Sequence, residues 1–588
     1  FETGLAYNLP ILSPLDDDSR FTKEVPELAG LKVLDANPKV IEALRAAGSL
    51  LASQTISHQY PHCWRCKKPV SFRSTPQWFV TLDESAPGAA AARGAPAGAD
   101  GGTLRARSLA AIDQVRWVPR WGRERIHGMI ESRPDWCVSR QRSWGVPITI
   151  FFCRKCGEWH YTKAAQEKIF ALFSKMGADA WYDLSEKELM PEGAKCLKCG
   201  GEDFRKETDI LDVWFDSGCS FAAVCEVRGD LPDRPDMYLE GSDQHRGWFH
   251  SSLLVSMANR GRAPYLEVLT HGYVVDGSGK KMSKSLGNTI DPDDIIKKYG
   301  ADILRLWVSA ENYQDDIRIS NQIMDMLAKA YFNFRNTARF ILGNLYDFDP
   351  RKDALGPDKM DRLDRYVLHQ LTALTDKIKA AYASYEFHAI YQSVNKFVVF
   401  LSSLYHDVIK DRLYTFKADS PERRATQTVM REVLTTLTSL MAPILSFTAE
   451  EIWSRLEPDA SVFLTDFPQS DPSRLIPTEA AEFERFLDLR AIINKSLEEA
   501  RNTKAIGSGL EAELDVTASG EEYRILAAQD NLAELLIVSA VRLTEDPEGT
   551  PLTAKVTPSH HPKCPRCWVR HPEVVGDGVC PKCQKALS

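Results

Sequence analysis

Residues 277–288 read Gly277-Ser-Gly-Lys-Lys-Met-Ser-Lys-Ser-Leu-Gly-Asn288. The fold predicted for the rest of the chain depends on how this stretch is interpreted. Glycine lets the backbone approach an anion closely, and a flexible lysine carries a compact charge that can follow phosphate oxygens during a reaction. The stretch therefore fits a loop that binds a polyphosphate. The alternative is an ordinary solvated basic loop, since short Lys/Ser runs are common on protein surfaces. The flanking sequence decides between the two.

The length and composition indicate a large multidomain protein. A chain of 588 residues is too long for a single hydrophobic core and should contain roughly three to five domains. Hydrophobic residues make up 44%, and the formal net charge of -8 excludes a globally basic nucleic-acid coat while leaving room for local basic patches. We find no apolar run near the roughly 20 residues that span a bilayer and no signal-peptide pattern, so we expect a cytoplasmic protein without membrane association.

The spacing of apolar residues changes along the chain. Short apolar strands, such as those predicted at 146–152 and 266–275, alternate with candidate helices and indicate an α/β region. From Asn321 onward the apolar residues recur at intervals of three and four, which predicts one face of a long helix. Further helical stretches are predicted at about 362–385, 388–414, 422–456 and 478–503.

Ten of the thirteen cysteines occur in five Cys-x-x-Cys pairs, a spacing typical of zinc sites in a reducing compartment. Two pairs, each followed by glycine, predict a closed structural zinc site in an inserted module. Two more lie in a tail too short to fold without a metal. The fifth pair has no second pair nearby and is either a half-site or two buried thiols. In that order, the pairs are Cys153/Cys156 with Cys196/Cys199, Cys564/Cys567 with Cys580/Cys583, and Cys63/Cys66.

Three polar segments precede the lysine-rich loop, and each places carboxylates or amides beside tryptophans. They are 136–147, 209–218 and 239–249. This composition suits a ligand with a charged amine and an apolar side chain. Any one of them alone could be a buried polar network, but three of them ahead of Lys281-Met282-Ser283-Lys284-Ser285 favour a binding site.

With these motifs the chain resembles the bacterial-type isoleucyl-tRNA synthetases, a family of class I aminoacyl-tRNA synthetases. The resemblance covers nearly all of residues 1–588 except an Ala/Gly/Pro-rich insert at 86–102. It implies a multidomain α/β + α fold: the C-terminal half of a class I Rossmann-like catalytic domain with an inserted zinc module, an α-helical anticodon-binding bundle and a C-terminal zinc ribbon.

The implied domains follow the order of the family. They are the end of the editing domain (1–57), a connective segment with the Cys63/Cys66 knuckle and the insert (58–115), the second half of the catalytic domain with a zinc module at 150–205 and the loop 277–288 (116–319), the anticodon-binding bundle (320–475), an α/β junction (476–550) and the zinc ribbon (551–588).

The resemblance also implies roles for individual residues. Residues 281–285 match the family's lysine signature, in which the second lysine, here Lys284, stabilises the phosphates of ATP during adenylate formation. Glu240 would contact the aminoacyl-adenylate with two neighbours beside it, and two tryptophans would form walls of the aliphatic pocket. Those four residues are Asp243, Gln244, Trp214 and Trp248.

The implied reaction joins isoleucine to ATP with release of pyrophosphate and then transfers the acyl group to a ribose hydroxyl of tRNA(Ile). Positioning and neutralisation of phosphate charge would do most of the work, with Mg²⁺ and lysine as charge partners. Structural Zn²⁺ at each complete four-cysteine site and a monomeric state are expected.

The sequence also departs from the family. The His-Ile-Gly-His signature is absent, the chain begins with Phe1 rather than Met, and most of the editing domain is missing, so we expect an N-terminally truncated chain that is inactive alone. The nearest alternative is a valyl-tRNA synthetase, and another is a non-catalytic tRNA-binding protein. A P-loop or dehydrogenase-type enzyme is disfavoured, since no glycine-rich fingerprint follows a predicted strand.

Overall fold

The computed structural model describes residues 2–10, 12–63, 66–84, 102–575 and 578–588. The chain forms two compact units, Phe1–Thr270 and His271–Ser588. The boundary between them falls inside the range 116–319. Residues 86–101 of the Ala/Gly/Pro-rich insert lie outside the described residues.

The first unit contains short helices and short strands. The helices are α1 Glu2–Ala6, α2 Asn37–Ala46, α3 Leu104–Ile112, α4 Trp121–Glu131, α5 Lys163–Met176, α6 Ala180–Asp183, α7 Glu186–Leu189, α8 Val213–Gly218 and α9 Trp248–Asn259. The strands are β1 Phe79–Val80, β2 Arg116–Val118, β3 Trp136–Cys137, β4 Ser139–Arg140, β5 Phe151–Cys153, β6 Trp159–His160, β7 Phe204–Lys206, β8 Ile210–Leu211, β9 Met237–Gly241 and β10 Glu267–His271.

The main core of the first unit surrounds the sheet β2-β10-β9. Strands β2 and β10 pair in parallel, with Trp117 opposite Val268, and parallel pairing requires a long crossover that here includes helices. Helix α9 buries most of its residues, including Phe249 and Leu253. A helix that is apolar on nearly all sides lies inside a core. The first residue of α9 follows β9 after one short turn, so the helix begins near the end of the sheet.

The inserted module has its own sheet, β6-β5-β7, covered by α5, α6 and α7. Its core includes Phe151, Trp181 and Leu189. The strand predicted at 146–152 is wrong in extent, because regular pairing begins only at Phe151. Pro147 forms a single bridge to Ile210, and a proline cannot donate to a ladder.

The second unit is mainly helical. Its helices are α10 Pro292–Tyr299, α11 Ala301–Ala310, α12 Asn321–Asn344, α13 Pro350–Asp353, α14 Arg362–Ser384, α15 Phe387–Phe400, α16 His406–Thr415, α17 Pro421–Met441, α18 Ser446–Leu456, α19 Pro477–Asn502, α20 Gly520–Ala527, α21 Leu532–Leu536 and α22 Pro581–Leu587. Its strands are β11 Val274–Asp276, β12 Ile317–Ile319, β13 Ala512–Ala518, β14 Ala540–Glu545 and β15 Thr553–Pro558.

The long helices of this unit follow the apolar spacing of the sequence. Helix α12 begins where the Ser320 hydroxyl accepts a hydrogen bond from the Ile323 N–H, and it buries the face predicted from the three-and-four spacing. One continuous core includes residues from α11 through to the sheet β14-β13-β15, so the bundle and this sheet share their buried residues.

Two predicted elements of this part of the chain are divided. The stretch 422–456 forms two helices, because Pro443 lies in the break between α17 and α18 and cannot continue the hydrogen-bond ladder. The strand predicted at 266–275 is split into β10 and β11 at Gly272, where a Cβ would lie 2.2 Å from the Asp315 carbonyl oxygen. Among the described helices, none combines the length and apolar character needed to cross a bilayer.

Candidate functional site

The last residues of β9 and the turn that follows them carry three of the predicted substrate residues. The chain passes from β9 through a 3-10 turn at Ser242–Arg246 into α9, so the turn lies at the carboxyl end of a strand, where open α/β sheets commonly bind ligands. Glu240 and Asp243 are exposed there. The Glu240 carboxylate accepts a hydrogen bond from the Gly241 N–H at 2.8 Å. Gln244 accepts one from the Trp248 N–H at 2.9 Å, which fixes the turn against the helix.

The two predicted tryptophans lie close to the same turn. The Trp248 indole stacks on Tyr238 with ring centroids 3.9 Å apart, and its N–H donates to the Ser220 hydroxyl at 2.9 Å. Trp214 is held by Asp212, whose carboxylate accepts the Trp214 backbone N–H at the start of α8. A Cβ at Gly247 would lie 2.7 Å from the Trp214 ring, so only glycine permits this packing. The structure therefore brings Trp214, Gln244 and Trp248 together.

Asp216 is a residue near this site that the sequence reasoning did not select. Burial, reinforced by the charge of Asp212, raises the pKa of Asp216 to about 6. Perturbed carboxyl groups are frequent at functional sites, but spacing along the chain gives no sign of the burial that causes this shift.

The lysine-rich loop belongs to the second unit, and two side chains hold its ends. The Asp276 carboxylate accepts hydrogen bonds from the Ser278 N–H and the Lys280 N–H, both at 2.9 Å, and from the Asn288 amide at 2.9 Å. Asn288 in turn accepts the Ser283 N–H at 2.9 Å. The Asn288 and Ser278 bonds, with the backbone of Lys280, hold the pKa of Asp276 far below its usual range. The loop is thus closed on itself at both ends.

Between these ends the loop presents its lysines to solvent. Met282 packs against the core that includes Ile295 and Trp307, so one side of the loop is anchored. Lys284 and Ser285 lie in a 3-10 turn that begins with a cap from the Ser283 hydroxyl. Lys281 and Lys284 are exposed, and no carboxylate of the same unit, as far as it is described, lies within ion-pairing distance of them. Two ammonium groups on an anchored loop leave their charge available to an anion.

The four cysteines of the inserted module form one group. The sulfur atoms of Cys153 and Cys199 are 3.6 Å apart, as are those of Cys156 and Cys196. In a tetrahedral zinc site with Zn–S bonds of 2.3 Å, sulfur atoms are separated by about 3.8 Å. A Cβ at Gly201 would lie 3.2 Å from the Cys153 sulfur, so the turn leaves room for the sulfur atoms alone. The grouping fits zinc.

The four tail cysteines form a second group, and all four are buried. The sulfur atoms of Cys567 and Cys580 are 3.5 Å apart. Burial alone would raise the pKa of the Cys564 thiol, but backbone N–H groups, first that of Cys567, outweigh it and lower the pKa to about 6. Burial instead raises the pKa of Cys567 to about 11 and raises that of Cys583, so of these three cysteines only Cys564 favours the thiolate form that binds a metal.

At the remaining pair, Cys63 and Cys66, the Lys67 N–H donates a hydrogen bond to the Cys63 carbonyl. Within the described ranges, neither residue belongs to a group of three or more potential metal ligands.

Comparison with known proteins decides the family. A family model described as tRNA synthetases class I (I, L, M and V) matches residues 20–320, just over half of the chain. The chain belongs to the class I tRNA synthetases. A second model, described as the anticodon-binding domain of tRNA ligase, matches residues 364–517. These matches agree with the multidomain fold expected of a class I tRNA synthetase from the lysine-rich loop and the helical bundle.

Individual relatives of this class I tRNA synthetase chain are more specific. Isoleucine–tRNA ligase of Geobacter sulfurreducens is 48% identical over 605 residues, covering 100% of this chain and 63% of that protein. The same enzyme of Syntrophotalea carbinolica matches with the same identity and the same coverage. A structure of Mycobacterium tuberculosis methionyl-tRNA synthetase with methionyl-adenylate shares 14% identity over 67% of this chain and 65% of that chain, with a TM-score of 0.44. The chain thus spans 63% of the length of the first two relatives.

Proposed function

We propose that the protein containing this chain attaches isoleucine to tRNA(Ile) through an isoleucyl-adenylate formed from ATP. The observation that carries this proposal is the 48% identity to isoleucine–tRNA ligases over the entire chain. The exposed lysines of the closed loop, and a turn that gathers Trp214, Gln244 and Trp248, supply the two features that the reaction needs: charge for a polyphosphate and an apolar wall for a side chain.

Valine is the competing amino acid. Isoleucine carries one more methylene than valine, and burying a methylene contributes about 0.8 kcal/mol. The two relatives with 48% identity are isoleucine–tRNA ligases, which disfavours the valyl alternative and the non-catalytic one. Pyrophosphate exchange by the protein expressed from its complete gene should therefore be faster with isoleucine than with valine. The reverse preference would refute the assignment.

The roles of the site residues are proposed from the family resemblance, and their placement is compatible with them. Lys284, with the rest of the loop from Lys281 to Ser285, neutralises phosphate charge as pyrophosphate leaves. Glu240, which is exposed at the end of β9, contacts the aminoacyl-adenylate. Asp243 and Gln244 lie beside it, and Trp214 and Trp248 form walls of the isoleucine pocket.

A lysine substitution separates the phosphate role from amino-acid binding. In the protein from the complete gene, Lys284→Ala should lower the rate of isoleucine-dependent exchange by about 100-fold, because a charge partner of the transition state is lost. Isoleucine affinity, measured by calorimetry, should stay within about twofold. Lys297→Ala, an exposed lysine on α10, is the matched control and should leave both quantities unchanged. Equal losses of exchange and isoleucine affinity in K284A would show that the loop is only structural.

The metals and partners of the protein form part of the proposal. Zn²⁺ at each four-cysteine group is structural, because four protein ligands leave no open position for water. Mg²⁺ accompanies ATP, as expected for phosphoryl chemistry. A cytoplasmic location is proposed because the cysteines are grouped for metal rather than for disulfides, and the protein is proposed to be a monomer.

The domain roles are likewise proposed. Residues 1–57 end an editing domain, 58–115 connect it to the catalytic part at 116–319, and residues 320–475 form the anticodon-binding bundle. The junction 476–550 shares the core of that bundle, and 551–588 form the zinc ribbon. The tail from Ser559 carries a net charge of +3, and its exposed Trp568 could stack on an unpaired base.

A further inference from the structure

A cavity of about 310 Å³ lies in the first unit beside the proposed isoleucine pocket and shares Trp214 with it, but no role is assigned above to its arginines or its histidine. Trp214 forms part of its wall, and the other residues come from segments far apart in the sequence. The lining residues that matter are Arg133, Trp136, Arg140, Asp212, Arg246 and His250.

The charges around this cavity do not balance. The Asp212 carboxylate accepts hydrogen bonds from Arg140 at 2.8 Å and from the Trp136 indole N–H at 3.2 Å, so its negative charge is already paired with Arg140. Arg133 and Arg246 have no carboxylate within ion-pairing distance in the described part of the first unit. The ionised side chains of the wall therefore carry a net charge of +2, in a chain whose overall formal charge is -8. A local excess of positive charge favours an anion.

Two side chains on the cavity wall, Arg133 and His250, have buried nitrogen atoms that meet no hydrogen-bond geometry. The Arg133 Nε and both ring nitrogens of His250 are buried, and none of them meets the geometry of a hydrogen bond with any described residue. His250 is only 2% exposed. A buried donor left unsatisfied costs roughly 1–3 kcal/mol, so the fold retains these groups at a cost that a ligand would offset.

His250 is neutral in this setting. Burial first, and then the charges of Arg133 and Arg246, lower its pKa to about 3, although the nearby His245 carbonyl slightly favours the charged form. A neutral imidazole offers one donor and one acceptor. The two arginines therefore supply the charge, and His250 supplies a directional hydrogen bond.

We propose that this cavity binds the phosphate group of a nucleotide or of an RNA strand. Arg133 and Arg246 would donate to the phosphate oxygens, which guanidinium groups recognise in a two-pronged manner, and His250 would donate one further hydrogen bond. Trp214, which is exposed, forms a wall against which the attached ribose or base can pack, whereas Trp136 is buried with Arg133 over its ring. The volume lies at the lower end of the range for small-ligand sites, about 300–1,000 Å³. The choice of nucleotide ligands, rather than the anion site itself, rests on the proposed function.

Binding measurements on the chain test this site without isoleucine or exchange activity. Inorganic phosphate, AMP, adenosine and a short single-stranded RNA are titrated by calorimetry against the wild type, Arg246→Gln and Arg133→Gln. Arg246 is exposed, so its replacement should leave the fold intact, and thermal melting checks this for both variants. Arg120→Gln, an exposed arginine of the same unit outside the cavity, is the matched control.

We expect phosphate and AMP or RNA to bind, adenosine to bind more weakly, and each cavity variant to lose about tenfold in affinity, because a charged hydrogen bond is removed. Arg120→Gln should bind as the wild type does. Stronger binding of AMP would identify a free nucleotide as the source of the phosphate, and stronger binding of RNA would identify the tRNA. The proposal is overturned if phosphate does not bind, if adenosine binds as tightly as AMP, or if R120Q loses as much as R246Q. Because no arm requires isoleucine, a wrong amino-acid assignment would not produce any of these failures.

Discussion

The two four-cysteine groups are alike in spacing and differ in what surrounds them. In the inserted module, Cys156 is exposed, and a separate apolar core around Trp181 and Leu189 lies beside the sulfur atoms. In the tail, all four cysteines are buried, and the buried cluster consists of these cysteines and Val574. The tail thus has almost no core except the metal site, whereas the module has a core of its own.

The attachment of the two groups also differs. The inserted cysteines lie on turns of a three-stranded sheet, with glycines at positive φ after each pair, at Gly157 and Gly200. The tail contacts α16 through Arg566, which donates to the Thr415 carbonyl at 3.1 Å, and through an ion pair between Lys582 and Asp411. The same set of four cysteines therefore adds to an existing apolar core in the inserted module, whereas in the tail it takes the place of one.

The largest effect is expected from a ligand substitution in the tail. Zinc binding contributes about 10–16 kcal/mol in peptides of this kind, so Cys583→Ser should unfold the tail. Hydrogen exchange should then lose nearly all protection between residues 559 and 575, while α14 and α17 remain protected. Lys585→Ala, an exposed change two residues away, should leave exchange unaltered. A tail that stays protected in C583S would mean that its core does not depend on the metal.

The equivalent substitution in the inserted module should have a smaller effect. Cys199→Ser removes one ligand, but Ile169 on α5 and Trp181 remain packed in the same core. We expect hydrogen exchange to rise at the two cysteine turns, residues 153–157 and 196–201, with α5 still protected. If α5 exchanged as freely as the tail does in C583S, the contrast between the two groups would be lost.

Metal removal should distinguish the groups by rate. An exposed Cys156 gives a chelator access to the inserted site, whereas the tail ligands are enclosed. Zinc release, followed with a colorimetric indicator, should show a fast and a slow phase of one equivalent each. The fast phase should be absent from C199S and the slow phase from C583S, and the opposite assignment would contradict the role of burial.

The smallest effect concerns the residues that follow two of the Cys-x-x-Cys pairs, Gly200 and Trp568. Gly200 has φ +68, so Gly200→Ala should lower the free energy of unfolding by about 1 kcal/mol. Trp568 occupies the corresponding place in the tail with φ +67, and Lys563 lies 5.1 Å from its ring. Trp568→Gly relieves backbone strain but loses a cation–π contact of about 0.5–1 kcal/mol, so the two changes should nearly cancel. Chemical denaturation of both variants measures the difference, and a large loss in W568G would show that the ring itself stabilises the knuckle.

Much of the architecture follows from local patterns. The grouping of eight cysteines into two sets of four is confirmed, and so is the helix from Asn321, because ligand spacing and apolar period are properties of short segments. The strand at 146–152 and the single helix at 422–456 are wrong, because each contains a proline, which cannot donate a backbone hydrogen bond. The apolar composition of both segments gives no sign of that interruption. The substrate roles of Glu240 and Lys284 stay predictions.

The sequence by itself determined the lysine-rich loop, the metal-ligand pairs and the buried faces of the long helices, since each depends on residues a few positions apart. Tertiary structure alone decided that Asp276 and Asn288 close the loop. It also decided that Arg133 and His250, 117 positions apart, line one cavity. Such groupings depend on how distant segments pack, and neither residue carries a local signal of its burial or of its missing partner.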